Sequence, residues 1–314
     1  MKTYDVVSMG GGPGGNAAAV RAALRGGSAC VIERKALGGV CLNVGCMPTK
    51  AMLAASDIFW RMQHTGVFGI SPAKPTVDGR AFMRRVADCV AELRSRAEKG
   101  MASRKAVDVI DGAGRLTGPN TVLVQTEDGE QEVRGKSVVV ATGSSPARPG
   151  FLPWDSGRLW TTDEAVVAED LPDSVIVLGG GVIGCEFATM YAEIGRKVVV
   201  LEMLNRLAPA LDTDASDAIK ELLAERGAQV VTGQKVERMT VEGDQVTAVL
   251  EDGRSFTAER ALIAVGRRPN VEDIGLEAAG VHVAEGIIVV DERCRTNVES
   301  VYAVGDVAER RQYA

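Results

Sequence analysis

Two stretches of the chain repeat one order of apolar and polar positions. The first opens on the apolar run from Tyr4 to Met9, passes through GGGPGG into the alanine-rich NAAAVRAALRGG, and ends in a second apolar run, SACVIER. The second starts at Ser174 and reads SVIVLGGGVIGCEFATMYAEIGRKVVVLE. Short apolar runs joined by a glycine turn and a helix-period segment predict strand, tight turn, helix and strand, one βαβ unit in each place. Between them, residues 51–105 are rich in Ala, Arg, Glu and Met at helical spacing and predict one or two long helices.

A weaker repeat follows each βαβ unit. Asp128-Gly129 and Asp252-Gly253 are hairpin signals set between short β-prone runs, and each leads into an apolar strand that ends in glycine, at Gly143 and Gly266. The chain therefore reads as α/β, with two Rossmann-like, doubly wound dinucleotide-binding domains, each with a three-stranded antiparallel β-meander. The Pro- and Gly-rich SSPARPGFLPWDSG is the natural boundary between them.

A length of 314 residues suits two such domains. A net charge of −6 argues against a nucleic acid or an anionic membrane surface as partner. No apolar window approaches membrane-spanning length, and Asp5 interrupts the N-terminal run without a cleavage site after it, so a cytoplasmic, reducing location is expected. Six cysteines are too sparse for a disulfide-stapled scaffold. Cys30, Cys89, Cys185 and Cys294 sit singly among apolar or small residues and are expected to be packing positions.

Gly10, Gly12 and Gly15 form G-x-G-x-x-G and Glu33 closes the following strand; Gly179, Gly181, Gly184 and Glu202 repeat this with the same spacing of 23 from first glycine to acid. In this pattern the first glycine makes the turn, the second admits a pyrophosphate, and the third lets helix and strand pack. The acid accepts hydrogen bonds from a ribose. A carboxylate at Glu202 would repel a 2′-phosphate, and no arginine follows before Arg206, which favours NAD over NADP.

Cys41 and Cys46 stand five apart in GGVCLNVGCMPTK. A metal is disfavoured, because zinc takes three or four protein ligands and the two histidines, His64 and His282, lack partners at ligand spacing. In a regular helix this pair would be separated by roughly 8–9 Å between Cα atoms, beyond the ~7 Å that a disulfide spans. A disulfide would therefore need an irregular turn at LNVG, where Gly45 can take unusual backbone angles. Pro48 suits the first turn of a helix starting there, and cysteines at a helix start are placed for reactivity.

These residues resemble the redox centre of the flavin-dependent pyridine nucleotide–disulfide oxidoreductases, most closely that of the dihydrolipoamide dehydrogenases. GGGPGG, ATGSSP, GGGVIGCEFA, VGRRPN and VYAVGDV extend the resemblance, in the family's order, over essentially the whole chain. It implies an FAD-binding domain with the redox disulfide over residues 1–148, an NAD-binding domain over 149–273, and a return to the FAD domain over 274–314. Gly10, Gly12, Pro13, Gly14, Gly15, Glu33 and Arg34 would hold the adenosine and pyrophosphate part of FAD. Gly39, Val40, Lys50, Ala113, Thr142, Gly143, Gly305 and Asp306 would complete that site. Gly179, Gly181, Val182, Ile183, Gly184, Glu202, Val236, Ala264, Val265, Gly266 and Arg267 would line the NAD site. Cys46 would face the flavin as a thiolate, Cys41 would exchange with the dithiol, and Lys50, paired with Glu186, would sit near flavin N5.

The implied activity is electron transfer between a dithiol, the Cys41–Cys46 disulfide, FAD and NAD, in support of cell redox homeostasis. The dithiol would be dihydrolipoamide, free or on a lipoyl protein of a 2-oxoacid dehydrogenase or glycine cleavage complex. The alternatives are another NAD(P)H-dependent disulfide or metal-ion reductase of the family, or a flavin- and NAD-binding fragment with only diaphorase activity. The family is homodimeric through a C-terminal interface domain carrying a histidine–glutamate pair, which this sequence does not contain. The expectation is thus a piece of a longer reductase or a naturally short homologue, in either case impaired in dithiol turnover. Asn16, where relatives often carry an aromatic, is given no role.

Overall fold

The computed structural model describes residues 1–309. Its backbone contacts divide into two compact units. Unit 1 comprises Met1–Cys46, Val90–Ser145 and the segment from Arg267 onward; unit 2 comprises Met47–Cys89 and Pro146–Gly266. The division differs from the expected one in three places, the first being a boundary at Ser145 rather than 148. Residues 47–89 group with the second unit, and the chain returns to the first at Arg267 rather than at 274.

Unit 1 is built on one seven-stranded sheet. Strand β1 (Lys2–Met9) leads through helix α1 (Pro13–Leu24) to β2 (Ala29–Glu33) and the short helix α2 (Gly39–Asn43), and then come β3 (Val107–Asp111), β4 (Ala113–Gly118), β5 (Thr121–Thr126) and β6 (Gly129–Val140). The order is β3-β2-β1-β6-β5-β4, with the late strand β19 (Val301–Ala303) also on β6. The inner pairs are parallel, whereas β4, β5 and the first half of β6 form an antiparallel meander. The meander is therefore continuous with the parallel sheet through β6, whose sequence shows why. Its first half alternates in burial, as a strand with one wet face does, while Val138–Val140 are buried in succession, as in a strand covered on both faces. On β2, Ala29 and Val31 pack with Ala19 of α1, and Cys30 and Ile32 pack into the opposite layer with Val138 and Val301. The short strands β7 (Ser144–Pro146) with β16 (Arg267–Pro269), and β17 (Val283–Ala284) with β18 (Ile287–Ile288), make two-stranded pairs.

Unit 2 carries a parallel sheet of β8 (Leu159–Trp160), β9 (Ser174–Leu178), β10 (Lys197–Leu201), β11 (Gln229–Val231) and β15 (Arg260–Ile263), in the order β11-β10-β9-β15-β8. Its meander, β12 (Val236–Glu242), β13 (Gln245–Leu250) and β14 (Ser255–Ala258), is a separate antiparallel sheet. Alternate residues Val246, Ala248 and Leu250 join Ile176 and Leu201 in the core. Both predicted hairpin glycines are left-handed, Gly129 at φ 122° and Gly253 at φ 84°. Four helices complete this part of the chain: α3 (Cys46–Gln63), α4 (Gly79–Ala102), which passes into unit 1 at Val90, α6 (Val182–Glu193) and α7 (Thr213–Glu225). A fifth, α5 (Thr162–Ala165), is a single turn closed by a Thr161–Glu164 capping box. Within unit 2, α3 is tied to α6 by side chains described below. No helix among the described residues is long and apolar enough to cross a membrane.

Candidate dinucleotide and dithiol sites

In unit 1 the chain leaves β1 at Gly10, turns at φ 113°, and enters α1 at Pro13, the helix position where a missing N–H costs nothing. A Cβ on Gly10 would lie 2.2 Å from Ala141 O, and one on Gly15 would lie 2.0 Å from Gly10 O, so both glycines are demanded by the packing of strand and helix. Gly12, the N-cap, is different: a Cβ there would meet nothing closer than Gly39 Cα at 3.9 Å. The chain itself does not need that glycine, and no side chain caps the helix, which leaves a concave N-terminus with amides for an anion. Glu33 Oε2 accepts from Gly11 N at 2.7 Å and Oε1 from Lys35 N at 2.9 Å, which fixes the carboxylate beside the turn.

Unit 2 repeats this geometry. Gly179 turns at φ 105°, a Cβ on Gly184 would lie 1.9 Å from Gly179 O, and Gly181 has nothing within 4 Å. Glu202 Oε2 accepts from Gly180 N at 2.6 Å and Oε1 from Leu204 N at 2.7 Å. The repeat extends to contacts that carry no motif: Gly38 N donates to Gly11 O as Ala208 N does to Gly180 O, both at 2.7 Å. Arg206 is committed to Thr213 Oγ1 and Pro209 O. Asn16 and Cys185 are also equivalent, each bonding the carbonyl of the turn, Gly11 O or Gly180 O.

The cysteine loop lies in unit 1. Cys41 belongs to α2, which ends at Asn43; Val44 departs from helical geometry at φ −141°, and α3 starts at Cys46. The connection is thus the irregular turn that pairing requires. Gly45 serves it by lacking a side chain rather than by its backbone angle: a Cβ there would lie 3.0 Å from Val40 O and 3.4 Å from Cys41 Cα. Cys46 is a half-buried thiol at the start of α3. Asn43 was missed by sequence reasoning. Its amide donates to Gly39 O at 2.8 Å and Leu37 O at 3.1 Å and accepts from Arg94 Nε at 2.7 Å, pinning the loop. Gly39, at φ 58°, brings the loop against the first cradle, since a Cβ on it would come within 2.7 Å of Gly12 Cα.

Lys50 Nζ and Glu186 Oε1 form an ion pair within unit 2, as the resemblance implies. In unit 1, Gly143 and Gly305 are left-handed turns at φ 67° and 80°. Thr142 Oγ1 donates to Asn270 O at 2.8 Å, and the Asn270 amide returns a bond to Thr142 O at 2.8 Å. Ser144 Oγ donates to Asp306 Oδ2. Ala113 opens β4, directly after Gly112, whose amide bonds Glu33 O. Arg34 is exposed, and Pro13, Gly14 and Val40 line the same turn and loop.

Of the residues that the resemblance groups with the NAD site, Arg267 falls in unit 1. The Arg267 side chain is buried in unit 1, its guanidinium donating to Ser144 Oγ at 2.7 Å and Ser144 O at 2.9 Å, with Asp306 3.9 Å away. The Val236 side chain is part of the unit 2 core, so only its backbone is left for a ligand. Val182 and Val265 are exposed, Ile183 is half-buried, and Ala264 and Gly266 follow the end of β15. Met203 and Leu204, exposed beside Glu202, add apolar surface.

Burial pushes the Cys30 thiol up to about 12; burial and then the Glu202 charge push Cys185 up to about 11. Both are inert packing residues. Cys294 is not: it is exposed, in a turn at φ 60° closed onto Asp291. His64 stacks on Trp60 at 3.7 Å. Among the described residues no three His, Cys, Asp or Glu side chains converge as a metal would need.

The pyridine nucleotide-disulphide oxidoreductase family matches residues 4–314. A dihydrolipoyl dehydrogenase of Bacillus subtilis is 38% identical over 325 residues, covering 99% of this chain and 68% of its own. Among solved structures, the Cu(II) complex of the HOCl-induced flavoprotein disulfide reductase RclA of Escherichia coli has a TM-score of 0.87 at 29% identity, covering 98% of this chain and 66% of that one. LpdA of Mycobacterium tuberculosis has a TM-score of 0.88 at 29% identity, covering 98% and 68%. The chain spans about two thirds of the length of these relatives.

Proposed function

The chain belongs to the pyridine nucleotide-disulphide oxidoreductase family, and from that premise we propose that it passes electron pairs between a dithiol, the Cys41–Cys46 pair, FAD and NAD. One observation carries the reading: the cysteine loop touches the first phosphate cradle, backbone to backbone, at Gly39 and Gly12. The second cradle, with its buried acid, lies in the other unit.

Both cradles fit a dinucleotide, because at Gly12 and Gly181 the chain leaves room that its own packing does not use. At the first, Gly10 to Gly15 and Glu33 would hold the adenosine and pyrophosphate of FAD, with Gly39, Val40, Ala113, Thr142, Gly143, Gly305 and Asp306 along its length. At the second, Gly179 to Gly184 and Glu202 would hold NAD, the carboxylate accepting ribose hydroxyls and repelling a 2′-phosphate. FAD, when bound, supplies the two-electron exchange between thiols and nicotinamide.

The protein's own part is thiol exchange. A substrate thiolate attacks Cys41 in the disulfide form, the Cys41–Cys46 bond breaks, and Cys46 leaves as a thiolate at the N-terminus of α3. The second substrate sulfur then displaces Cys41, so the substrate becomes a disulfide and the pair gains two electrons. By the family resemblance, Lys50, which pairs with Glu186, would supply the positive charge that favours the reduced flavin.

The dithiol read from the family is dihydrolipoamide, free or on a lipoyl protein of a 2-oxoacid dehydrogenase or glycine cleavage complex, with a homodimer as the working form and the cytoplasm as its place. A second reading, reduction of a different disulfide, is favoured by the likeness to RclA. Reconstitution with FAD followed by NADH, dihydrolipoamide and other dithiols separates them. A yellow protein whose NADH diaphorase activity is joined by dihydrolipoamide oxidation supports the first. Diaphorase activity with turnover of another disulfide alone supports the second, and failure to retain FAD overturns both.

A further inference from the structure

Helix α3 meets α6 at two rungs within unit 2. The outer rung is the Lys50–Glu186 ion pair, with the Lys50 side chain 56% exposed. The inner rung lies six residues further along α3 and seven along α6: Ser56 Oγ donates to Glu193 Oε2 at 2.6 Å, and Arg226 Nε donates to Glu193 Oε1 at 2.8 Å. These intervals are about 9 and about 10.5 Å of helix, so the rungs keep step. Ser56 is fully buried and Glu193 is 3% exposed. Arg226, the C-cap of α7, also lies over the Trp60 ring of α3 at 5.2 Å from its centroid.

A carboxylate this deep is tolerated only if its oxygens are met by donors. Here one donor comes from α3 and the other from the end of α7. An apolar contact between helices tolerates a small slide, whereas this one does not, because any slide strands a buried charge. We propose that Ser56, Glu193 and Arg226 are positioning residues: their buried rung fixes the register of α3 on α6 so that Lys50 meets Glu186. The register stands on this geometry alone. Its consequence for electron transfer rests on the role proposed above for Lys50.

The test is competitive amine labelling of the intact chain, read at each lysine by mass spectrometry. Glu186→Gln should raise Lys50 labelling about threefold, the size an exposed ion pair is worth. Ser56→Ala should do the same although it touches neither residue, leave Lys197 and Lys235 unchanged, and add nothing in the double variant with Glu186→Gln. Wild-type labelling of Lys50 in Ser56→Ala, or effects that multiply in the double variant, would overturn the proposal. If Ser56→Ala does not fold, Glu193→Gln, of the same shape, carries the same expectations. The readout needs no flavin, so failure to bind FAD sinks the proposed function and not this register.

Discussion

Gly39 and Gly12 approach so closely that a Cβ on Gly39 would lie 2.7 Å from Gly12 Cα, and Gly39 holds a left-handed φ of 58°. This contact joins the turn of the first dinucleotide fingerprint to the cysteine loop, so it bears on cofactor and thiols together. Gly39→Ala is expected to lose FAD retention while keeping both cysteines titratable under denaturing conditions. Flavin absorbance after gel filtration measures it, and a fully yellow variant would show that the contact is incidental.

Two glycines of the second fingerprint, Gly184 and Gly181, should separate by cause. Gly184→Ala puts a methyl 1.9 Å from Gly179 O and should cost about 1–3 kcal/mol or more of stability. Gly181→Ala has open space and an ordinary φ of −70°, so stability should change by less than about 1 kcal/mol. NADH binding should nonetheless weaken by about tenfold or more, since the methyl enters the phosphate's place. Thermal melts with and without NADH give both numbers.

Glu202 accepts the Gly180 and Leu204 amides while only 7% exposed. Glu202→Ala should lose NADH affinity by about ten- to hundredfold, the worth of charge-assisted hydrogen bonds, and bring NADH and NADPH closer together. Because Arg206 is held by Thr213 and Pro209, the variant should not become NADPH-selective. Strong NADPH selectivity in Glu202→Ala would show that Arg206 reaches the 2′-phosphate.

The parts legible in the sequence were those written in spacing. The glycine turns, the acids 23 residues on and the Asp-Gly hairpins take the local geometry that their pattern predicts, while the Lys50–Glu186 pair comes only from the family resemblance. What escaped depends on partners distant along the chain, which no local pattern encodes. Asn43 meets Arg94 across 51 residues, Ser144 meets Arg267 across 123, and Ser56 meets Glu193 across 137. Arg267 follows the second unit's strand-end glycine in sequence, but its buried side chain serves Ser144 and Asp306.

Thiol reactivity should follow burial. With Cys185 pushed up to about 11 and Cys30 to about 12, a higher pKa keeps the thiol protonated, so at pH 8 their thiolate fractions are only about 10⁻³ and 10⁻⁴. Iodoacetamide on the reduced protein should therefore modify exposed Cys294 and spare these two. Cys185 labelling should climb about tenfold per pH unit until near 11. Rapid modification of Cys185 at pH 8, seen by peptide mapping, would contradict its burial beside Gly180.

The central claim is that the Cys41–Cys46 pair and a flavin in the first cradle form one redox unit. Anaerobic reductive titration of the FAD-reconstituted chain tests it most directly. The account predicts uptake of four electrons per flavin, two by the pair and two by FAD, and uptake of two by Cys46→Ser. Two electrons in both proteins would mean that the cysteines do not exchange electrons with the flavin, and the account would fall.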